Sequence, residues 1–385
     1  MNFNEAIDQV LLNEYTGSEK KKTILMGGHK YLLKLPDPVR EKETELSYIN
    51  NAISEYLGCK IFKMLGIPVQ NVILGTYTDE NKKRKIVCAC EDVRLPGETM
   101  YQIKTLELSD AEETKKKPSF DKMEQFAETF SYLSKEEICE FYYQMFVADA
   151  FIGNTDRHDG NWAILSGTGG VRLSPVFDCG SCLNPLLSEE EIKDEQVIKQ
   201  SALSVYSTIC DTSGKRILYR DFLQKTDHPG VLQAVRTIVP RINLSEIYAM
   251  IEDTPYLSEN RKTFYKTVLE MNYEQVMLPA LSHAANYEWN ILRKYSDEER
   301  HLLMKTILEP LKRDGELNRG GFHIKKVAGN QAIIYKQGEF LAIFPVQKKF
   351  IVMDRLLNLL EKESIPVDFF QRGESKKGIN KRSDR

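Results

Sequence analysis

The strongest constraint on the fold of this chain is a long apolar segment that ends at a polar loop bounded by glycines. Apolar side chains recur at helical spacing from Glu136 to Ile152, which predicts a buried helix. Gly153 follows directly, and glycine commonly ends helices because it tolerates a left-handed backbone. The polar loop Gly153–Asn161 starts there, so any fold of this chain must place the loop at the end of a core helix.

The first hundred residues have the pattern of a small α+β unit. Gly27–Lys30 separates the apolar runs Thr23–Met26 and Tyr31–Leu35, which predicts a hairpin. The predicted elements that follow are a helix over Glu45–Leu65 and strands over Val72–Tyr77 and Lys85–Ala89. This order is typical of the N-lobe of a kinase-like fold.

The rest of the chain is less regular in pattern. Residues 102–135 are charged and weakly periodic, which predicts a surface excursion with one short helix. Short strands fit Trp162–Leu165 and Val171–Leu173, and the pattern from 188 to 295 is mostly helical. Further along, the predicted elements are a helix over Asp297–Lys312, a hairpin over Phe322–Tyr335 and Glu339–Phe344, and a helix over Ile351–Lys362.

These patterns predict an α+β, bilobal, protein-kinase-like fold with a C-terminal appendage. The N-lobe, 1–95, is expected to be β-rich with one helix and to bind ATP. The C-lobe, 96–290, is expected to be mainly helical and to carry the polar loop. Residues 291–370 are expected to form an α+β appendage whose role the sequence does not indicate. The basic tail, 371–385, is expected to be disordered.

Composition narrows the class of protein. With a formal net charge of -3 over 385 residues, no nucleic-acid binding is expected. The sequence shows no pattern of a signal peptide, and no apolar stretch reaches the ~18 residues that a membrane span needs. A soluble cytoplasmic protein is therefore expected. Export without a signal peptide and the oligomeric state both stay open.

The chain has seven cysteines, an odd number, scattered along its length, which favours a reducing compartment. Cys179 and Cys182 form a C-x-x-C pair. Zinc would need a second pair at finger-like spacing, so buried small side chains near a turn are the favoured interpretation.

Two oxygen-bearing side chains in the polar loop have the spacing of a phosphoryl-transfer site. Asp156 and Asn161 match the D-x-x-x-x-N loop of kinases. Phosphoryl transfer needs a carboxylate that accepts the proton of the attacking hydroxyl, and oxygen ligands that hold Mg²⁺ on the phosphates. We therefore predict Asp156 as the catalytic base and Asn161 as a magnesium ligand of an ATP-dependent enzyme.

A third oxygen-bearing side chain follows the two short strands. Asp178 lies shortly before a glycine in Phe177–Gly180, where kinases have D-F-G, and is the second predicted magnesium ligand. The alternative is that Asp156 and Asp159 are ordinary loop carboxylates and that Asp178 is a turn residue, but the combination of both motifs favours the functional interpretation. His158 could be catalytic, by orienting Asp156 or contacting phosphates, or could be a structural hydrogen-bonding residue. Asp159 is expected to face solvent.

The N-terminal unit supplies the predicted nucleotide contacts. Lys34 lies inside an apolar strand, where an unpaired lysine is rare, and is predicted to contact the ATP phosphates. Glu55 is its candidate ion-pair partner, with Glu45 as a rival.

The loop before the first strand and the end of the strand pair complete the predicted ATP site. Backbone N–H groups of this loop, at Gly17, Ser18 and Lys21, are predicted to cover phosphates, and Ser18 is a candidate phosphorylation site. Glu91 and Val93 lie where a hinge would hold adenine.

Several of these segments carry a family resemblance. The residues in question are YLLKLP (Tyr31–Pro36), SEY (Ser54–Tyr56), LGTY (Leu74–Tyr77), MFVAD (Met145–Asp149), GNTDRHDGNW (Gly153–Trp162) and PVFDCGSCLNP (Pro175–Pro185). Over residues 10–275 the chain resembles the HipA-type serine/threonine kinases, most closely their CtkA-like branch. The resemblance implies a bilobal kinase that transfers the γ-phosphate of ATP to serine or threonine of a protein substrate, with autophosphorylation open. It implies the same roles for Asp156, Asn161, Asp178 and Lys34.

Two alternatives stay open. Phosphoinositide kinases share a D-R-H-x-x-N loop, so a lipid substrate is an alternative; the pattern contains no basic amphipathic helix that would favour it. A catalytically silent nucleotide-binding module that docks partners is the other alternative, and the intact set of Lys34, Asp156, Asn161 and Asp178 argues against it.

Overall fold

The structure, a computed structural model, describes residues 1–12, 21–35, 49–106, 117–285, 295–346, 350–363 and 365. The chain divides into two compact units, Met1–Ala284 (unit 1) and Ala285–Arg385 (unit 2). Each unit contains helices and strands, as the predicted α+β class requires. In the described ranges no helix combines the length and apolarity needed to cross a bilayer. The predicted basic tail, 371–385, lies outside the described residues.

Unit 1 begins with a short helix and five strands. They are α1 (Phe3–Ala6), β1 (Gln9–Leu11), β2 (Lys21–Met26), β3 (His29–Lys34), β4 (Val72–Thr78) and β5 (Arg84–Glu91). The strands form one antiparallel sheet in the order β1-β2-β3-β5-β4. Gly27 and Gly28, with φ of 57° and 79°, make the turn between β2 and β3, because a two-residue hairpin turn of this kind needs two left-handed residues. The predicted hairpin and both later strands are confirmed.

Helix α2 (Ile49–Met64) packs against β4 and β5. Its residues Ile53, Leu57 and Ile61 are fully buried. The left-handed Gly66, with φ of 75°, follows the helix and stops it. The predicted helix is confirmed where it is described; its predicted start at Glu45 lies outside the described residues.

The middle of unit 1 contains the core helix and a small sheet. Its elements are β6 (Thr99–Gln102), α3 (Ile103–Leu106), α4 (Phe120–Thr129), α5 (Lys135–Ile152), β7 (Ala163–Gly167) and β8 (Gly170–Leu173). The side chain of Ser134 caps the start of α5, and Gly153, with φ of 67°, ends it. Helix α5 is buried along most of its length, as predicted.

In the described residues 102–106 and 117–135, the predicted surface excursion with one short helix is wrong, and residues 107–116 lie outside the described part of the chain. Strand β6 pairs with β7 as the outer strand of a three-stranded sheet, and α3 follows it directly. Helix α4 buries Phe120, Met123 and Ala127, so it belongs to the core rather than to the surface. The sequence pattern of α4 is amphipathic, but its charged residues dominate the stretch and the helix is too short for the helical period to be recognised.

The remainder of unit 1 is mostly helical, as predicted. Its elements are α6 (Glu195–Leu203), β9 (Tyr206–Cys210), β10 (Arg216–Leu218), α7 (Tyr219–Leu223), α8 (Pro229–Ile238), α9 (Leu244–Glu252), α10 (Glu259–Asn272) and α11 (Leu278–Ala284). The two-stranded sheet of β9 and β10 was not predicted, because both strands are short and mix polar with apolar residues.

Unit 2 has a hydrophobic core of its own. Its elements are α12 (Asp297–Leu303), α13 (Glu309–Asp314), β11 (Glu316–Arg319), β12 (Phe322–Val327), β13 (Gln331–Lys336), β14 (Glu339–Pro345) and α14 (Phe350–Lys362). A π-helical turn, Met304–Leu308, joins α12 to α13, so the predicted helix over Asp297–Lys312 is confirmed. The predicted hairpin is part of a four-stranded antiparallel sheet. The predicted first strand, Phe322–Tyr335, is divided by a turn into β12 and β13, and β11 pairs with β12 at the edge.

Gly58 allows α2 to approach the segment that follows Asp178. A Cβ atom at this position would lie 2.7 Å from Cys179 Cβ and 3.0 Å from Cys182 Sγ, both buried. Alanine is favoured over glycine inside a helix by about 1 kcal/mol, but forcing an atom into a packed core costs about 1–3 kcal/mol.

We expect Gly58→Ala to destabilise the protein by roughly 1 kcal/mol despite its better helix propensity. Urea unfolding followed by circular dichroism measures this. The control is Gly169→Ala, where a Cβ meets nothing within 4 Å, and we expect it to change stability by less than about 0.5 kcal/mol. A Gly58→Ala protein as stable as the parent would contradict the close approach.

Candidate active site

A cleft with a volume of about 320 Å³ brings the predicted loop residues and the N-terminal sheet together. It is lined from the sheet side by residues that include Lys21, Lys34 and Glu91, and from the loop side by Asp156 and Asn161. His158, Asp178 and Val93 also line it. Gly17 and Ser18 lie outside the described residues, so their predicted phosphate contacts stay predictions.

Lys34 bonds two carboxylates at the back of this cleft. Its Nζ atom lies 2.7 Å from Glu55 Oε2 and 2.7 Å from Asp178 Oδ1. Glu55, on α2, is fully buried, and its other oxygen accepts a hydrogen bond of 2.5 Å from Gln70 Nε2. The sequence analysis proposed Glu55 as the ion-pair partner of Lys34, and the structure contains that ion pair. The alternative partner, Glu45, lies outside the described residues.

Asp178 sits in a left-handed backbone conformation with φ of 61°. Burial alone would raise the pKa of its carboxyl, but the charge of Lys34 and the hydrogen bond from it lower the pKa to about 2. Asp178 is therefore ionised at neutral pH, and its side chain is still 35% exposed to the cleft. Two residues later, a Cβ at Gly180 would lie 3.2 Å from Glu55 Oε2, so glycine there lets the chain pass close to the buried carboxylate.

Asp156 lies at the mouth of the cleft, with about half of its side chain exposed. Partial burial raises the pKa of its carboxyl; His158 lowers this pKa, and the negative charge of Asp178 raises it further. Both carboxylates line the same cleft, and two like charges in one cleft repel each other. A cation between them would relieve that repulsion.

Asn161 has its amide oriented by the loop itself. Its Nδ2 atom donates a hydrogen bond of 2.7 Å to the Asp156 carbonyl oxygen, which leaves Oδ1 as the atom for a ligand. Amide and carboxylate oxygens are the ligands that Mg²⁺ prefers, so Asn161 and Asp178 fit a magnesium site. His158 Nδ1 accepts a 3.0 Å hydrogen bond from Gly160 N, and its Nε2 lies 4.0 Å from Asp156 Oδ1.

A buried ion pair under the loop was missed by the sequence analysis. The Arg157 Nε atom lies 2.8 Å from Asp149 Oδ2, and both side chains are almost fully buried. The Arg157 Nη1 atom donates to the carbonyl oxygens of Asn161 (2.8 Å) and Phe177 (2.5 Å). Burial would lower the pKa of the guanidinium, but Asp149 raises it well above its usual value, so Arg157 stays charged. The signal in the sequence was a carboxylate, Asp149, within the apolar run of α5.

The prediction that Asp159 faces solvent is wrong. Asp159 Oδ2 lies 2.9 Å from Nζ of Lys122, a lysine on α4 that is itself almost fully buried. The backbone oxygen of Asp159 also accepts a hydrogen bond of 2.9 Å from Lys104 N. Asp159 thus attaches the loop to the segment that carries α3 and α4.

The predicted hinge residues line the cleft, with further contacts of their own. The carboxylate of Glu91 accepts one hydrogen bond of 2.8 Å from Asn71 Nδ2, and its other oxygen lies 2.8 Å from His29 Nδ1. The Val93 carbonyl oxygen accepts a hydrogen bond of 3.0 Å from Arg172 Nη2. Three apolar lining residues, Leu32, Met100 and Phe177, were not predicted, since an apolar residue carries no signal of a site by itself.

Cys179 and Cys182 are buried free thiols near the turn that follows Asp178. Within the described part of the chain there is no group of three or more His, Cys, Asp and Glu side chains that could hold a metal. The same buried region contains Cys59, and burial raises the pKa of both Cys59 and Cys182 well above the usual value.

Comparisons with known proteins identify the family and the fold. The HipA-like C-terminal domain matches residues 14–254. Serine/threonine-protein kinase CtkA of Helicobacter pylori strain J99 is 33% identical over 263 residues, which are 64% of this chain and 77% of CtkA. The crystal structure of an H. pylori proinflammatory kinase CtkA superposes with a TM-score of 0.67 at 28% identity and covers 74% of this chain and 97% of that one. The predicted kinase-like fold of the HipA and CtkA type is thereby confirmed.

We expect Asp149→Ala to destabilise the protein by about 3–5 kcal/mol, because it leaves the Arg157 guanidinium buried without its counter-charge. Chemical denaturation measures the loss. The control is Glu190→Ala, which removes an exposed ion pair of 3.0 Å with Lys193 and should cost less than about 1 kcal/mol. A loss for Asp149→Ala no greater than that of the control would show that the buried pair is not needed.

Proposed function

This chain belongs to the HipA-like C-terminal domain family, and from that membership and the geometry of the cleft we propose that it is an ATP- and magnesium-dependent protein serine/threonine kinase. A kinase-like function is supported at the level of the family. The observation that carries the finer proposal is the convergence of Lys34, Asp156, Asn161 and Asp178 on one cleft.

In this proposal the sheet side of the cleft holds the nucleotide. Adenine lies at the hinge, between backbone groups of Glu91–Val93 and the apolar side chains of Leu32 and Met100. The ammonium of Lys34, already fixed by Glu55, contacts the phosphates, and Lys21 adds a second positive charge at the same wall.

Asn161 and Asp178 are the proposed magnesium ligands. When bound there, Mg²⁺ would neutralise charge on the phosphates and align the γ-phosphate for transfer. The ionised state of Asp178 supports this role, since a carboxyl with a pKa of about 2 is available to a metal at any physiological pH. The hydrogen bond that fixes the Asn161 amide supports it as well.

Asp156 is the proposed base. Its exposed carboxylate can accept the proton of a serine or threonine hydroxyl that enters from the mouth of the cleft. A protein substrate is favoured over a lipid because the relative CtkA is a serine/threonine-protein kinase. Autophosphorylation is part of the proposal.

We expect the protein with magnesium and labelled ATP to phosphorylate itself or a generic substrate such as myelin basic protein. Asp156→Asn should reduce kcat roughly 10²- to 10⁴-fold, because it removes the proton acceptor while keeping the shape of the side chain. The control is Asp253→Asn, an exposed aspartate that is not among the residues lining the cleft. Equal labelling by Asp156→Asn would defeat the assignment of the base. Preferred labelling of phosphoinositide vesicles would identify a lipid kinase, and nucleotide binding without any transfer would identify a silent module.

We expect Asp178→Asn to weaken magnesium-dependent ATP binding by roughly 10- to 100-fold, because a ligand charge is lost. Calorimetric titration of ATP with and without magnesium measures it. Binding without magnesium should change little, since Lys34 keeps its contact with Glu55. If magnesium strengthens ATP binding as much in Asp178→Asn as in the parent protein, Asp178 is not a metal ligand.

A further inference from the structure

Three side chains from the segment 208–219 donate hydrogen bonds to the backbone of the loop Gly153–Asn161. The bonds are Thr208 Oγ1 to the Arg157 oxygen (2.6 Å), Arg216 Nη2 to the Thr155 oxygen (2.9 Å) and the Tyr219 hydroxyl to the Asn154 oxygen (3.0 Å). These donors lie on β9, on β10 and at the start of α7. The hairpin that the sequence did not reveal is therefore attached directly to the loop.

Two further carbonyl groups of the loop accept hydrogen bonds from within the loop itself. The Asp156 oxygen accepts hydrogen bonds from His158 N (3.0 Å) and Asn161 Nδ2 (2.7 Å). The His158 oxygen accepts one of 2.8 Å from Asn161 N. Every backbone carbonyl from residue 154 to residue 158 thus accepts a hydrogen bond. The peptide plane before Asp156 is held by Arg216, and the plane after Arg157 is held by Thr208.

We infer that Thr208 and Arg216 are positioning residues for Asp156, and that the β9–β10 hairpin orients its carboxylate toward the substrate hydroxyl. The inference rests on the proposed function, in which Asp156 accepts the proton of that hydroxyl. A catalytic group displaced by about 1 Å loses up to ~10²-fold in rate, so hydrogen bonds that fix its backbone affect catalysis without touching the substrate.

Arg216 joins three backbone groups with one planar side chain. Its Nε atom donates to the Ser207 oxygen at 2.6 Å and its Nη2 atom to the Tyr206 oxygen at 3.2 Å, in addition to Thr155. A lysine has its three N–H donors on one nitrogen, so it lacks the separate, coplanar donors with which the guanidinium reaches strand and loop together. Arg216 is an exposed residue, so its replacement should change the stability of the protein little.

The first test replaces one hydroxyl. Thr208→Val keeps the shape of the side chain and removes the donor, and Thr208→Ser keeps the donor. We expect Thr208→Val to lower kcat roughly 10-fold with an unchanged KM for ATP, because Lys34 and Asp178 are untouched, and Thr208→Ser to stay close to the parent. Thr237→Val is the control, since it removes a hydroxyl bond of 3.0 Å to a helix backbone in α8.

The second test shortens the side chain at position 216 in two steps and measures kcat. We expect kcat to fall in the order parent, Arg216→Lys, Arg216→Ala, by roughly 10- to 100-fold overall, with unchanged KM for ATP. Arg220→Ala, which removes an arginine paired with its neighbour Asp221 at 2.9 Å, is the matched control and should keep the parental kcat.

The decisive measurement combines either change with Asp156→Asn. If Thr208 and Arg216 act through Asp156, Thr208→Val or Arg216→Ala should cause no further loss of kcat in the Asp156→Asn background. An equal loss in both backgrounds, or a rise in the KM for ATP, would overturn the inference. So would a Thr208→Ser protein as slow as Thr208→Val.

Hydrogen exchange separates this inference from the proposed function. Loss of one backbone bond should speed amide exchange in residues 154–158 by up to about tenfold, whether or not the protein transfers phosphate. If the parent protein has no kinase activity, the proposed function fails and exchange alone decides whether the hairpin fixes the loop. Exchange unchanged by Thr208→Val and Arg216→Ala would reject that attachment.

Discussion

The buried ion pair between Arg157 and Asp149 is the interaction on which the rest of the site depends. A charge in the protein interior is costly unless it is paired and hydrogen-bonded, so Arg157 is stable only while its acceptors remain in place. Those acceptors belong to helix α5, to Asn161 in the loop and to Phe177 beside Asp178. One guanidinium thereby fixes the spacing between the two parts of the chain that carry Asp156 and Asp178.

Interior and exposed charges have different tasks in this protein. Lys122 and Arg157 are almost fully buried; Lys122 binds the Asp159 carboxylate of the loop, and Arg157 binds the Asp149 carboxylate and the backbone of Asn161. Asp156 and Asp178 remain partly exposed, so they can reach molecules that enter the cleft. Lys34 connects the two sets, because it bonds the buried Glu55 on one side and Asp178 on the other. This division explains how a member of the HipA-like family can keep several like charges in one small space.

The parts of the fold that could be predicted are those with a strong local signal. The β2–β3 hairpin follows from two adjacent glycines, and helix α5 follows from a long apolar run with glycine at its end. The pairing of Lys34 with Glu55 could be proposed because a lysine within an apolar strand needs a partner. Each of these inferences uses residues that are close in the sequence or an element with a clear period.

The parts that were missed or wrong depend on contacts between distant segments. Asp159 was assigned to solvent because its partner Lys122 lies on α4, in a stretch whose charges suggested a surface. Arg157 had an assignable partner only once α5 and the loop were folded together. Strands β6, β9 and β10 contain five residues or fewer each, too short for an alternating pattern to distinguish them from loops.

The left-handed backbone at Asp178 has a consequence for the evolution of this protein. Asparagine, aspartate and glycine are the residues that adopt that conformation with little strain. In the genetic code, aspartate codons become asparagine or glycine codons by a single base change. Two of the point mutations that remove the carboxylate, to asparagine and to glycine, are thus tolerated by the chain geometry at this position, whereas those to alanine, valine or tyrosine would strain it. The left-handed backbone conformation by itself therefore does not keep aspartate at position 178, since asparagine or glycine would fit the same turn.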